Sequence, residues 1–274
     1  MKPLTCCLLP VLLSGLLVSA VAAPAPAAEG FGFSLIPNAF TRNPLLSMTV
    51  FTELTDYGRT LAPATVEAPV YFQAHDRGLQ SKGETVSGEI SPTPAALQDT
   101  LFSALAGAGY LPAPADRPSQ LVLIYYWGSH LSMDPDLAAL FPELHQQRVM
   151  ERAMLVGGRT YRQQVRDQIE FGYTFADRTP KKNFLIHQAT QDLNFVVVSA
   201  YDRAALAKGK RQLAWRTTMT VSTAGVSMKD SLPPLVMTAG AYFGRETAEP
   251  VAINRRARRG TVNLGPLTII ADSR

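Results

Sequence analysis

The sequence predicts an α+β fold: a single mixed sheet with packed helices and a helical insertion. Two apolar runs without alternation, at 121–127 and 193–201, read as strands covered on both faces. Between them, residues 134–191 carry helical periodicity. The remaining strand and helix signals follow one another without a regular βαβ repeat or a linker, which predicts one domain over 31–274.

The chain opens with Lys2, an apolar run over 8–21 and a tract of small residues, the order of a cleavable secretory signal peptide. A membrane span needs about 20 continuous apolar residues, and Pro10, Ser14 and Gly15 interrupt this shorter run. Ala20-Val21-Ala22 and Ala25-Pro26-Ala27 both fit a cleavage site, the first being preferred. A signal peptide at 1–22 and a flexible Ala/Pro lead at 23–30 follow, and the expectation is a periplasmic or secreted protein with no transmembrane span after cleavage. Cys6 and Cys7, the only cysteines, fall inside the leader. The mature chain therefore has no disulfide, and roughly 250 residues bury enough apolar surface to fold without one. No cysteine follows the apolar run, where a lipid anchor would attach.

Order is expected to begin near 31–35. Met48, Val50, Thr52 and Leu54 alternate with Thr49, Phe51 and Glu53, the period of a strand with one buried face. A short strand at 70–73 ends at the turn Asp76-Arg77-Gly78. Thr93-Pro94 starts a helix, because the hydroxyl caps it and the proline suits the first helical position. Leu97, Leu101, Ala104, Leu105 and Ala108 then recur at helical spacing, and Gly107 and Gly109 provide the stop. The buried strand at 121–127 is expected near the sheet centre.

Asp134-Pro135 opens another helix by the same chemistry, and Pro142 breaks or restarts it. Further on, Tyr161, Val165, Ile169 and Tyr173 share one face, with Arg166 and Glu170 placed for an ion pair on the other. The strand at 193–201, a polar loop at 202–211 and the alternating segment 213–221 read as an antiparallel hairpin. Asp230-Ser231 is expected to cap a helix over 233–243. A last strand at 261–270 contains Pro266, which confines it to an edge or bulge.

Three stretches carry a family resemblance. Ala106-Gly107-Ala108-Gly109-Tyr110 leads through a polar turn to the strand ending at Trp127. Val196-Val197-Val198-Ser199-Ala200-Tyr201-Asp202 precedes Leu213-Ala214-Trp215-Arg216, and a helix and strand then close the domain. This order resembles a family of bacterial envelope domains of unknown function, with a fold loosely like the TolB N-terminal domain. It covers about half the mature chain, leaves the helical insertion outside, and implies fold and compartment but no chemistry.

Chemistry is sparse. The formal charge of +4, one unit of it from Lys2, is too small for a nucleic-acid binder. His75, His130, His145 and His187 show no metal-ligand spacing, so no metal or cofactor is expected. Gly-x-Ser-x-Gly and phosphate-loop patterns are absent, and Glu84 and Glu89 read as solvated carboxylates. Two features stand out. His130 follows a central strand at its carboxyl end, where sheets of this class place ligands, with Asp134 nearby; Asp134 also reads as a helix cap. Arg255, Arg256, Arg258 and Arg259, before the last strand, form an acid-free cluster that can grip an anion or stand as a solvated loop that keeps a nearby edge strand from pairing.

The reading these features support is an exported, non-catalytic envelope or secreted binding module, whose partner is an anionic envelope component or another envelope protein. Two alternatives stay open: a hydrolase with a site near His130, and a structural assembly subunit.

Overall fold

The computed structural model describes residues 43–83, 89–171 and 179–257. The expected leader at 1–22, the expected lead at 23–30, Glu84, Tyr173, Arg258, Arg259 and the expected strand at 261–270 lie outside the described residues. The strands are β1 (Leu45–Leu54), β2 (Val70–Leu79), β3 (Tyr110–Pro112), β4 (Leu121–His130), β5 (Leu193–Asp202), β6 (Leu213–Ser222) and β7 (Val251–Arg256). They form one seven-stranded mixed sheet in the order β3-β2-β4-β5-β6-β1-β7, parallel where β2 meets β3 and β4 and antiparallel elsewhere. The helices are α1 (Asp56–Thr60), α2 (Pro94–Gly107), α3 (Pro135–Leu140), α4 (Pro142–Phe171), α5 (Pro180–Thr190), α6 (Arg203–Ala207) and α7 (Met228–Ala239). The architecture is α+β, with α3, α4 and α5 forming the helical insertion between β4 and β5. No helix among the described residues is long and apolar enough to cross a membrane.

Cap chemistry sets most helix starts. Thr93 Oγ1 accepts from Ala96 N, and Asp134 accepts from Asp136 N and Leu137 N, each followed by a proline at the first helical position. Pro142 ends α3 and starts α4. α4 turns at Gly157 and Gly158, the latter with φ 69°. A Cβ on Gly158 would lie 2.5 Å from the Phe51 ring, so glycine is required both by the backbone angle and by the close approach to β1.

The two sheet faces bury different chemistry. α2 and α7 cover one, where Leu97, Leu101, Leu232 and Leu235 close over Met48, Val50, Val196, Val198 and Met219. α4 and α5 cover part of the other, with a smaller apolar cluster around Val149, Ala153, Val156 and Leu185. Thr49, Thr218, Thr220, Ser199, His130 and Arg152 are also buried in the fold.

Four expectations are corrected. β1 is buried on both faces, Thr49 and Phe51 included, because α4 packs over the face opposite α7. β2 does not end at Asp76-Arg77-Gly78; it passes through them with a register shift against β4. α7 starts at Met228 under a Ser227 cap, not at 233, so Pro233 and Pro234 lie inside it. Arg255 and Arg256 stand on strand β7 rather than in a loop, paired with Leu46 and Leu45.

Candidate functional site

Extension of β4 to His130 places the Gly128-Ser129-His130 segment in the sheet, opposite Phe195, Asn194 and Leu193. Gly128 makes the next step possible, since a Cβ there would lie 2.2 Å from the Gln80 carbonyl oxygen. Without a side chain at 128, the chain after β2 runs on against β4. Gln80 N donates to Trp127 O at 2.7 Å, Lys82 N to Ser129 O at 2.7 Å and Leu131 N to Lys82 O at 2.9 Å. Backbone bonds thereby fix Lys82 beside His130.

α4 supplies the opposite wall. Its Glu151 carboxylate reaches His130 Nε2 at 3.1 Å and Lys82 Nζ at 3.2 Å, and Gln147 Nε2 donates to it at 3.3 Å. The cleft between sheet and helix has a volume of about 550 Å3 and is lined by Tyr126, Phe195, Met150, Met154 and Leu155, with Lys82 and Arg162 among its charged groups. The His130 side chain is 2% exposed. Burial lowers its pKa below the ordinary 6.5; Glu151 opposes this and is outweighed. His130 is accordingly neutral near pH 7, with Nε2–H donating to Glu151, while Nδ1 is buried without a partner. Burial alone would raise Glu151, yet the bonds from His130, Lys82 and Gln147 hold it below the usual carboxylate value.

Arg152, the next residue along, is fully buried. Its Nε donates to Ala189 O at 2.8 Å and its Nη1 to Leu131 O at 3.1 Å, tying the end of α5 and the exit of β4 to α4. Desolvation lowers its pKa, and the nearby Asp192 charge offsets part of that cost.

The other sequence candidates are placed elsewhere. Asp134 caps α3 and does not line the cleft. Arg255 and Arg256 are exposed and, by strand alternation, point to opposite faces; Arg255 Nη1 donates to Thr238 Oγ1 of α7 at 3.0 Å. His75 and His187 are exposed. No three His, Cys, Asp or Glu side chains among the described residues are placed to hold a metal ion. Lys82, Glu151 and Arg162 carry no local sequence signal for a site. Glu151 and Gln147 stand one helical turn apart, which marks a shared face and nothing more.

No family model and no curated protein matches the chain. Among solved structures, a PDZ domain protein from Parabacteroides distasonis is similar with a TM-score of 0.34 and 10% identity, over 77% of this chain and 39% of that one. This chain thus spans about two-fifths of that protein's length, and a likeness so slight carries no argument about ligand or activity.

Proposed function

We propose that the chain is a non-catalytic binding module that receives an amphipathic anion in the His130 cleft. The observation that carries this reading is that His130 has no nitrogen open to a substrate: Nε2 is committed to Glu151 and Nδ1 is sealed in the interior. General acid–base chemistry needs such a group within reach of the reacting proton. Glu151 is a weak base for the same task, since its three hydrogen bonds favour the carboxylate.

What the cleft offers a ligand is recognition. Lys82 is 62% exposed and spends one contact on Glu151, which leaves ammonium donors facing the opening. Arg162, on α4 beyond the turn at Gly157 and Gly158, adds a second exposed cation. Against the single Glu151 charge the cleft is net positive, and its walls are aromatic and methionine-rich, as suits an apolar body with an anionic head. The leader at 1–22 supports a place outside the cytoplasm, where anionic lipids and acidic glycans supply such heads. Arg255 and Arg256 lie on a different strand and would act as a separate, weaker contact.

Titration calorimetry with octyl phosphate, run beside octanol over a salt series, tests the proposal. Octyl phosphate is expected to bind more tightly than octanol and to weaken with salt. The Lys82→Met/Arg162→Gln double variant should lose about tenfold or more, in line with the loss of charge-assisted hydrogen bonds. Equal binding by the parent and the double variant would overturn the reading.

A further inference from the structure

α3 and the first turn of α4 form a tip that the rest of the fold leaves open. α3 buries none of its residues and packs chiefly on α4. Leu137, Leu140, Phe141 and Leu144 recur at helical spacing along the tip and are between 38% and 71% exposed, which makes them an apolar stripe rather than scattered surface residues. Phe141 N donates to Leu137 O at 2.9 Å and His145 N to Phe141 O at 3.0 Å, so helical bonding continues past Pro142.

This stripe leads to the His130 cleft. Leu144, Gln147 and Glu151 stand at i, i+3 and i+7 on one face of α4, and the last two line the cleft. Lys82 Nζ lies 3.2 Å from Glu151 Oε2. The ammonium therefore marks a polar waist with apolar surface on both sides of it along α4. In one direction Met154 and Leu155 face Tyr126 and Phe195 inside the cleft. In the other, at the rise of a helix, Leu144 follows about 10 Å from Glu151 and Phe141 about 15 Å.

Charge narrows what can cover the stripe. Asp134, Asp136 and Glu143, interleaved with it in sequence, are exposed. A second copy docked across a two-fold axis would bring these acids together, and an anionic surface would meet them head on. An uncharged alkyl chain meets neither cost. Resting on the reading that the cleft holds an amphipathic anion, we propose that this anion has two apolar arms, as in a dialkyl phosphate. Its head meets Lys82, one arm enters the cleft, and the other lies along Leu144 and Phe141. A one-armed anion would fill the cleft and leave the stripe in water.

Titration calorimetry of the full chain with dioctyl phosphate beside octyl phosphate, both below the concentrations at which they form micelles, tests the proposal. Dioctyl phosphate is expected to bind at least about tenfold more tightly, the gain from partly burying a second chain. Phe141→Ser/Leu144→Gln should remove most of that gain and leave octyl phosphate unchanged. Leu140→Gln, at the most exposed of the four positions, should remove about threefold with the circular dichroism of the parent. The proposal is overturned, and the cleft reading kept, if octyl phosphate binds the parent and dioctyl phosphate binds no tighter. It is also overturned if both variants hold dioctyl phosphate as the parent does, or if sedimentation shows a parent dimer that Leu140→Gln dissociates, which would assign the stripe to a second copy. Failure of octyl phosphate itself to bind removes the cleft reading and this inference with it.

Discussion

The two faces of the sheet solve the same burial problem by different means. Under α2 and α7 the buried side chains are mainly apolar, with the hydrogen-bonded pairs Thr52–Thr217 and Asn194–Ser231 among them, and none among the described residues is charged. Under α4 and α5 the apolar cluster is smaller, and the buried Arg152 and His130 stand beside it. The first face provides stability through apolar burial. The second accepts desolvation costs and converts them into fixed positions for Lys82 and Glu151 at the lip of a cleft. The proposed recognition and the larger share of the stability are therefore expected on different faces.

The largest effect is expected on the apolar face. Leu235→Ala should destabilise by about 4 kcal/mol and Leu185→Ala, in the smaller cluster, by about 2 kcal/mol, both read from urea denaturation midpoints. Equal losses would break the distinction between the faces. Arg152→Met comes next, at about 2 kcal/mol, because the carbonyls of Leu131 and Ala189 lose their donor. Hydrogen exchange should show α4 and α5 opening first in this variant while α2 and α7 stay protected.

The His130 effect is smaller and depends on pH. The folded imidazole sits below the ordinary 6.5, so the unfolded chain takes up this proton first. Its contribution to stability is full above pH 6.5 and is lost as pH falls through the folded value. Melting temperatures at about pH 7.5 and about pH 5.5 should diverge in the parent and converge in His130→Phe. Glu151 is held below its ordinary 4.5, so its own contribution disappears only in more acidic solution. The smallest effect belongs to the exposed Lys181–Glu249 pair between α5 and the chain leading into β7. Lys181→Gln should change stability by less than about 0.5 kcal/mol.

Where local chemistry decided the structure, the sequence was legible. The uninterrupted apolar runs became β4 and β5, the alternating segment after them became β6, and the Thr93, Asp134 and Pro142 signals became helix boundaries. Elements settled by distant contacts were not. β7 is short and its second half is Asn254-Arg255-Arg256, yet six register pairs with β1 hold it in the sheet. α7 starts before the Asp230-Ser231 cap that the sequence suggested, and there the distant Glu89 carboxylate accepts from Met228 N at 2.6 Å. The cleft was half legible: His130 stood out by its place after a central strand. Lys82 and Glu151 reach it only through the chain running on past β2 and the docking of α4, and neither leaves a local signature.

The position of β1 has a consequence in time. It is the first strand of the described chain to be synthesised, yet Met48 must find Val221 and Ile253, which are made near its end. Contacts that close such long loops form slowly, while the β5–β6 hairpin can zip locally. Until β1 docks, β6 presents a row of unpaired backbone groups to any extended segment nearby. Refolding should thus show an early phase for β5–β6 and a late one for β1, followed by pulse-labelled hydrogen exchange. The interval between them sets the period in which crowded, newly made chains are most prone to pair with one another.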